Sequence, residues 1–356
     1  TAYPYVIGVQ HQLPVVTVSI PQEYLTGEQG ILNHIDQTYE YEGVVTLIEG
    51  GEEKFSVPFG FRLHGNGSRA CPKQNFQLRF RSEYGAGKLK YPLFDNREFD
   101  EYNSLLLKGG SEDWNSAVMR DEVATAIVEG TTNLYAQAIK PVVLYLGGEY
   151  WGIYYFRERY SDDYVASHFN VSEESVDLLF SSGAYTQSGS NRDFLALVDY
   201  VKTHDMTTDE NYAYLTQRID VVSLMDWYIC RSYMGDKDLA NIRRFRSSEG
   251  DGKWRWMYFD LDWAFWHTNE NPVSSILQNR GADYALIHAV LSNPQGRDAF
   301  LRRYGELMNT VLKEEYILGV IDSVASSIES EIPRDRERWG RTVDGWNGAV
   351  NRLRNY

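Results

Sequence analysis

The 356 residues are 43% hydrophobic and 24% charged, the composition of an ordinary globular chain long enough to bury a sizeable core. A formal charge of −15, from 35 basic against 50 acidic residues, argues against a nucleic-acid partner, whose phosphates need long-range attraction. Two cysteines far apart, Cys71 and Cys230, make neither a disulfide framework nor a thiolate metal site, and no apolar run is long enough to span a bilayer.

The first half reads as strands. VVTVSI, EGVVTLI, FSVPFGFRL and NFQLRFR are short, β-branched or aromatic, and bounded by Gly, Pro and Asn. In the last of these Phe76, Leu78 and Phe80 alternate with Gln77, Arg79 and Arg81, so one face packs and the other is polar. PVVLYLGGEYWGIYYF, at 141–156, predicts a hairpin turning at Gly147-Gly148. A polar loop, SSGAYTQSGSN, follows at 181–191.

The second half turns helical. Ser190 is placed to cap a helix whose core face is Phe194, Leu197, Val198 and Val201. A second helix is expected over roughly 220–234, with Val221, Leu224, Met225 and Tyr228 on one face. A third covers much of 296–331 through Phe300, Tyr304, Leu307 and Val311. The expected class is α+β, a β-rich amino-terminal lobe over 1–160 and a mainly helical lobe over 161–356.

The stretch 235–266 carries the chemistry. Two strand-like runs, Asn241–Ser247 and Lys253–Asp260, flank the turn-rich SSEGDG. A four-residue loop would pair Ser248 with Lys253, Phe245 with Trp256 and Asn241 with Asp260. Asp236 lies five residues before Asn241, and Asp262 shares the side of Asp260 if the strand continues. Three carboxylates and an amide would then converge. Oxygen ligands without His or Cys suit Mg²⁺ or Mn²⁺ shared with a substrate's phosphates. Protein kinases use the same order, an Asp, an Asn five residues on, a hairpin and a second Asp.

A cationic island spans 62–90, with Arg62, Arg69, Lys73, Arg79, Arg81, Lys88 and Lys90 against the single acid Glu83. It contains HGNGSR, a glycine-rich loop whose amides could meet phosphate. Arg62 and Lys73 are the candidate nucleotide contacts, with Glu158 as the acid that could pair with Lys73. A solvated cationic sheet face is the plainer alternative.

These motifs, taken with LPVVTVSIPQEYL, FRLHGNGSRACPKQNFQLRFRSEYG, VMRDEVA, LGGEYWGIYYFRER, GDKDLANI and GKWRWMYFDLDWAF in that order, resemble the CotH kinase family of spore-coat and secreted bacterial proteins. The resemblance implies a divergent two-lobed kinase fold and transfer of the ATP γ-phosphoryl group to Ser or Thr of a coat or secreted protein. It also implies an extracellular or spore-coat location. By position it makes Asp236 the catalytic base, Asn241 and Asp260 metal ligands with Asp262 behind them, and Lys73 the phosphate lysine. Arg120 and Asp121 would brace the lobes. The chain departs from the family at Lys73-Gln74-Asn75-Phe76, where two lysines often precede the aromatic, and at LLLKGGSED. The rival readings are a catalytically silent scaffold, a carbohydrate-associated module suggested by 26 Tyr and 9 Trp, and a phosphoesterase built on Asp236, Asp260 and Asp262. Oligomeric state is not encoded in any motif.

Overall fold

The computed structural model describes residues 8–85, 87–236, 241–266, 273–274 and 281–356. Elements are numbered in chain order. The chain divides into two units that interleave along the sequence. The first takes the chain up to Met119, Ala138–Arg159 and Asp322–Asn355; the second takes Arg120–Gln137, Tyr160–Ile321 and Tyr356. A single cut near residue 160 does not capture this, because the chain returns to the first unit near its end.

The first unit is a closed seven-stranded barrel in the order β1-β2-β3-β4-β7-β10-β9. Its strands are β1 (Val15–Ser19), β2 (Tyr41–Glu49), β3 (Glu52–His64), β4 (Asn75–Arg79), β7 (Ser104–Lys108), β9 (Ile139–Leu146) and β10 (Glu149–Glu158). Short β5 (Leu89–Lys90) and β6 (Glu101–Tyr102) pair beside it, and α1 (Gln22–Thr26) follows β1. Closure comes from a parallel pairing of β1 with β9; the other barrel pairings are antiparallel. Alternation decides which side chains fill it: Phe61, Leu63, Phe76, Leu78, Leu105, Leu107, Tyr154 and Phe156 form one buried cluster. The expected hairpin turns at Gly147-Gly148, both at positive φ, the backbone of a primed two-residue turn. The unit ends in α10 (Ile332–Arg338) and α11 (Val343–Arg354).

The second unit holds a five-stranded sheet in the order β12-β11-β13-β14-β8. These strands are β8 (Tyr135–Ala136), β11 (Val176–Phe180), β12 (Tyr185–Ser188), β13 (Arg243–Ser247) and β14 (Arg255–Tyr258). Its helices are α2 (Arg120–Val128), α3 (Asp162–Phe169), α4 (Arg192–Thr203), α5 (Asp209–Thr216), α6 (Val221–Tyr233), α7 (Ala282–Ser292) and α8 (Pro294–Met308). Helix α9 (Glu314–Ile328) runs from this unit into the first. The α+β class holds, β-rich first and largely helical second.

Three local expectations change. The polar loop at 181–191 supplies edge strand β12. Ser190 does not cap α4: Asn191 holds the cap position, and the Ser190 hydroxyl accepts from the Arg192 N–H. The expected long helix over 296–331 breaks between Met308 and Glu314. There the Asn309 amide and the Thr310 hydroxyl donate to the carbonyls of Gly305 and Glu306, competing with helix continuation. No helix among the described residues is long and apolar enough to cross a membrane.

Candidate active site

In the second unit, β13 and β14 pair Arg243 with Met257, Arg244 with Trp256 and Phe245 with Arg255. This is one residue away from the expected register, so Phe245 does not face Trp256. Phe245 meets its partner one residue sooner, across a turn whose backbone is satisfied by its own side chains. Ser247 Oγ accepts from the Glu249 N–H, and the Asp251 carboxylate accepts from the Lys253 N–H. A one-residue shift should send Asn241 and Asp260 to different positions. They meet nonetheless: Asn241 Nδ2 donates to Asp260 Oδ2 at 2.5 Å. Strand β14 stops at Tyr258, and Asp260 takes a left-handed backbone (φ +60°), which turns its carboxylate back toward Asn241. Both residues are half-buried.

Because the strand ends there, period-two alternation does not reach Asp262. That residue sits buried in the following turn, where its carbonyl accepts from Trp266 Nε1. Arg120 fixes the turn, donating to the carbonyls of Ala264 and Phe265 and lying 4.0 Å from the Trp266 ring centroid. Among the described residues no three His, Cys, Asp or Glu side chains gather to hold a metal. The expected convergence of three carboxylates is therefore not what forms; an amide and one carboxylate do.

Asp236 follows α6 directly. Asp220 caps that helix, accepting from the Ser223 N–H, and Leu224, Met225 and Tyr228 are buried on its core face. The chain leaves it through Gly235 at φ +64°, a conformation glycine adopts without strain. The Asp236 carboxylate pairs with Arg231 Nη2 at 2.5 Å, both side chains fully enclosed. Arg231 also donates from Nη1 to the Asn241 carbonyl at 2.8 Å. One guanidinium thus ties down both ends of the segment that carries the motif. Sequence reasoning passed over Arg231; its signal was a cation in the last turn of a helix leading into the acids.

In the barrel unit, Lys73 is fully buried, with Nζ 2.7 Å from Asp335 Oδ1 and 5.4 Å from the Tyr154 ring centroid. Asp335, on α10, also accepts from the Ile153 N–H and from Arg336. Burial presses its carboxyl upward, but Lys73 and Arg336 outweigh that and hold it below the usual range. Glu158 is not the partner of Lys73. Its Oε2 accepts from Arg97 Nη2 (2.8 Å) and Nε (3.0 Å) and from the Ala138 N–H (2.7 Å). The reason is reach: Glu158 lies four strand residues, ~13 Å, beyond Tyr154, over whose ring Lys73 sits. Arg62 lies half-buried on β3.

A family model described as CotH kinase protein matches residues 61–356, from within β3 to the end of the chain. No curated protein matches. Among solved structures, one described as the crystal structure of the Golgi casein kinase aligns over 92% of this chain and 73% of its own, at 10% identity and a TM-score of 0.33.

Proposed function

The chain belongs to the CotH kinase family, and from that premise we propose that it transfers the γ-phosphoryl group of ATP to a Ser or Thr hydroxyl of a secreted or spore-coat protein. The observation that carries the reading is the meeting of Asn241 with Asp260. Asn241 thus brings an amide oxygen, and Asp260 a carboxylate, to one place. Two such oxygen donors fit Mg²⁺, which is commonly held by one or two protein groups and completed by waters and phosphates. Bound there, the ion would supply offset of charge on the phosphoryl oxygens.

The chain's own residues do the positioning. Asp236 is assigned to orient the substrate hydroxyl and accept its proton. The ion pair with Arg231 fixes where that carboxylate sits, which matters where in-line geometry and electrostatics dominate the transfer. Lys73, fully enclosed with Asp335, is assigned to hold the barrel unit together rather than to touch phosphate. The enclosure of Asp236 favours a second reading of that one residue: with Arg231 it braces the loop and does not itself accept the proton.

Transfer from γ-labelled ATP to a casein-like or coat-protein substrate tests the proposal. Asp260→Asn is expected to lower incorporation by at least 100-fold with the thermal midpoint held within a few degrees. Undiminished transfer by that variant sinks it, and a Mg²⁺-independent or absent nucleotide shift of the midpoint points to the silent scaffold. Asp236→Ala separates the two assignments, since loss of a brace lowers stability and loss of a base lowers turnover alone.

A further inference from the structure

The charged side chains on the outside of the barrel point to a second feature. Phe61, Leu63, Phe76 and Leu78 face the barrel core, so Arg62 on β3 and Gln77 and Arg79 on β4 face outward. Arg62 lies opposite Gln77, and Arg79 opposite Gly60, which sets the two arginines diagonally on neighbouring strands. Arg81 continues the row two residues on, and Arg69 comes from the turn joining β3 to β4, where its Nη1 donates to the carbonyls of Ile35 and Gln37.

Two of these guanidiniums, Arg79 and Arg81, share two carboxylates. Glu40 takes Arg79 at 2.8 Å and Arg81 at 3.5 Å, and Glu83 takes Arg81 at 2.8 Å. Arg62 makes no hydrogen bond or ion pair with any described residue, and its Nε is shut off from water. Burial, then the charge of Arg79, draws its pKa below the ordinary arginine value. The guanidinium nevertheless stays protonated at neutral pH. A half-buried cation with an unpartnered Nε, facing three other arginines and one carboxylate, Glu40, leaves room for an anion to complete it.

We propose that Arg62, Arg69, Arg79 and Arg81 form a binding surface for a polyphosphate anion. Successive arginines along a strand stand ~7 Å apart, which suits a chain of phosphoryl groups better than one compact anion. Their planar forks match phosphate oxygens in pairs. The chemistry is shared by free polyphosphate and by the phosphate tail of a nucleotide. Binding here requires neither metal nor transfer, so it stands or falls apart from the kinase reading.

Titration calorimetry of the full chain with tripolyphosphate in EDTA at 50 mM salt tests it. Binding is expected, falling steeply with salt. Arg62→Gln should weaken it at least tenfold with an unchanged thermal midpoint, and Glu40→Gln should tighten it by removing the competing carboxylate. Displacement by metal-free ATP identifies the nucleotide as the source, and no displacement identifies free polyphosphate; either supports the site. Unchanged affinity in Arg62→Gln, or equal competition by a polyglutamate peptide, overturns it. If Mg²⁺-dependent ATP stabilisation persists while tripolyphosphate fails to bind, this surface is wrong and the proposed function survives.

Discussion

The two units handle buried charge in different ways. In the second unit three enclosed acids each pair with an arginine: Asp236 with Arg231, Asp283 with Arg244, Asp226 with Arg303. In the barrel unit one carboxylate, Asp335, answers two cations, Lys73 and Arg336, and outside the barrel Arg79 and Arg81 share Glu40 and Glu83. Paired acids serve a unit that must present an ordered amide and carboxylate. Cations gathered on one patch of the barrel are what the proposed anion-binding surface requires. The barrel's cations therefore have two fates, one locked inside the fold and one left on its surface.

The sharpest way to break that comparison is Lys73→Met. If Lys73 is locked, removing it leaves Asp335 and Arg336 to readjust inside the protein, and urea unfolding should show a loss of ~3–5 kcal/mol. Adding Asp335→Asn to that variant should cost much less than it does alone, because the partners are already uncoupled. Stability kept within ~1 kcal/mol, together with loss of the nucleotide-dependent thermal shift, would move Lys73 to the anion-meeting class.

Gly152→Ala probes the same anchor from the backbone side. Gly152 sits at the β10 bulge with φ +105°, and an added Cβ would run into Asp335 Oδ1 and crowd Trp339. Strain at such a φ costs ~1–3 kcal/mol, and displacement of Asp335 adds to it. The expected readout is a lower unfolding midpoint with the denaturant slope unchanged. A neutral effect would mean that Asp335 can shift freely, and that the Lys73 network is not an anchor.

What was legible in the sequence follows the range of each interaction. Alternation in NFQLRFR and the Gly147-Gly148 turn are local, and the strands and hairpin they predict are where they should be. Phe194, Leu197, Val198 and Val201 are likewise buried on α4 as their spacing requires. Lys73 and Asp335 are 262 residues apart, so nothing near Lys73 could nominate its partner; Glu158 was merely the nearest plausible acid in a motif. The β13–β14 register failed by one residue because Ser247 and Asp251 satisfy turn amides with side chains, which pairing by counting ignores. Asn241 and Asp260 were nominated through that faulty register and meet by another route, the left-handed backbone at Asp260. Asp262 was lost to the same turn.

The β13–β14 turn offers the smallest test, and it concerns an acid–arginine pair at the surface of the second unit. Asp251 holds Arg255 through two contacts, at 2.6 and 2.8 Å, and accepts from the Lys253 N–H. The hydrogen bond from Arg255 is the main cause that draws its pKa down to about 2. A depressed carboxyl stabilises the fold above its unfolded value, ~3.9, and that contribution disappears as pH falls through the folded value. The window is thus about pH 4 to pH 2. Asp251 is half exposed, so solvent screening limits the gain to under ~1 kcal/mol. Asp251→Asn can still accept from Lys253 but loses the charge, so the gap between it and the unchanged protein should be present at pH 6 and close near pH 2. A gap that stays constant with pH would assign the stabilisation to turn geometry and remove Asp251 from the set of charge-paired acids.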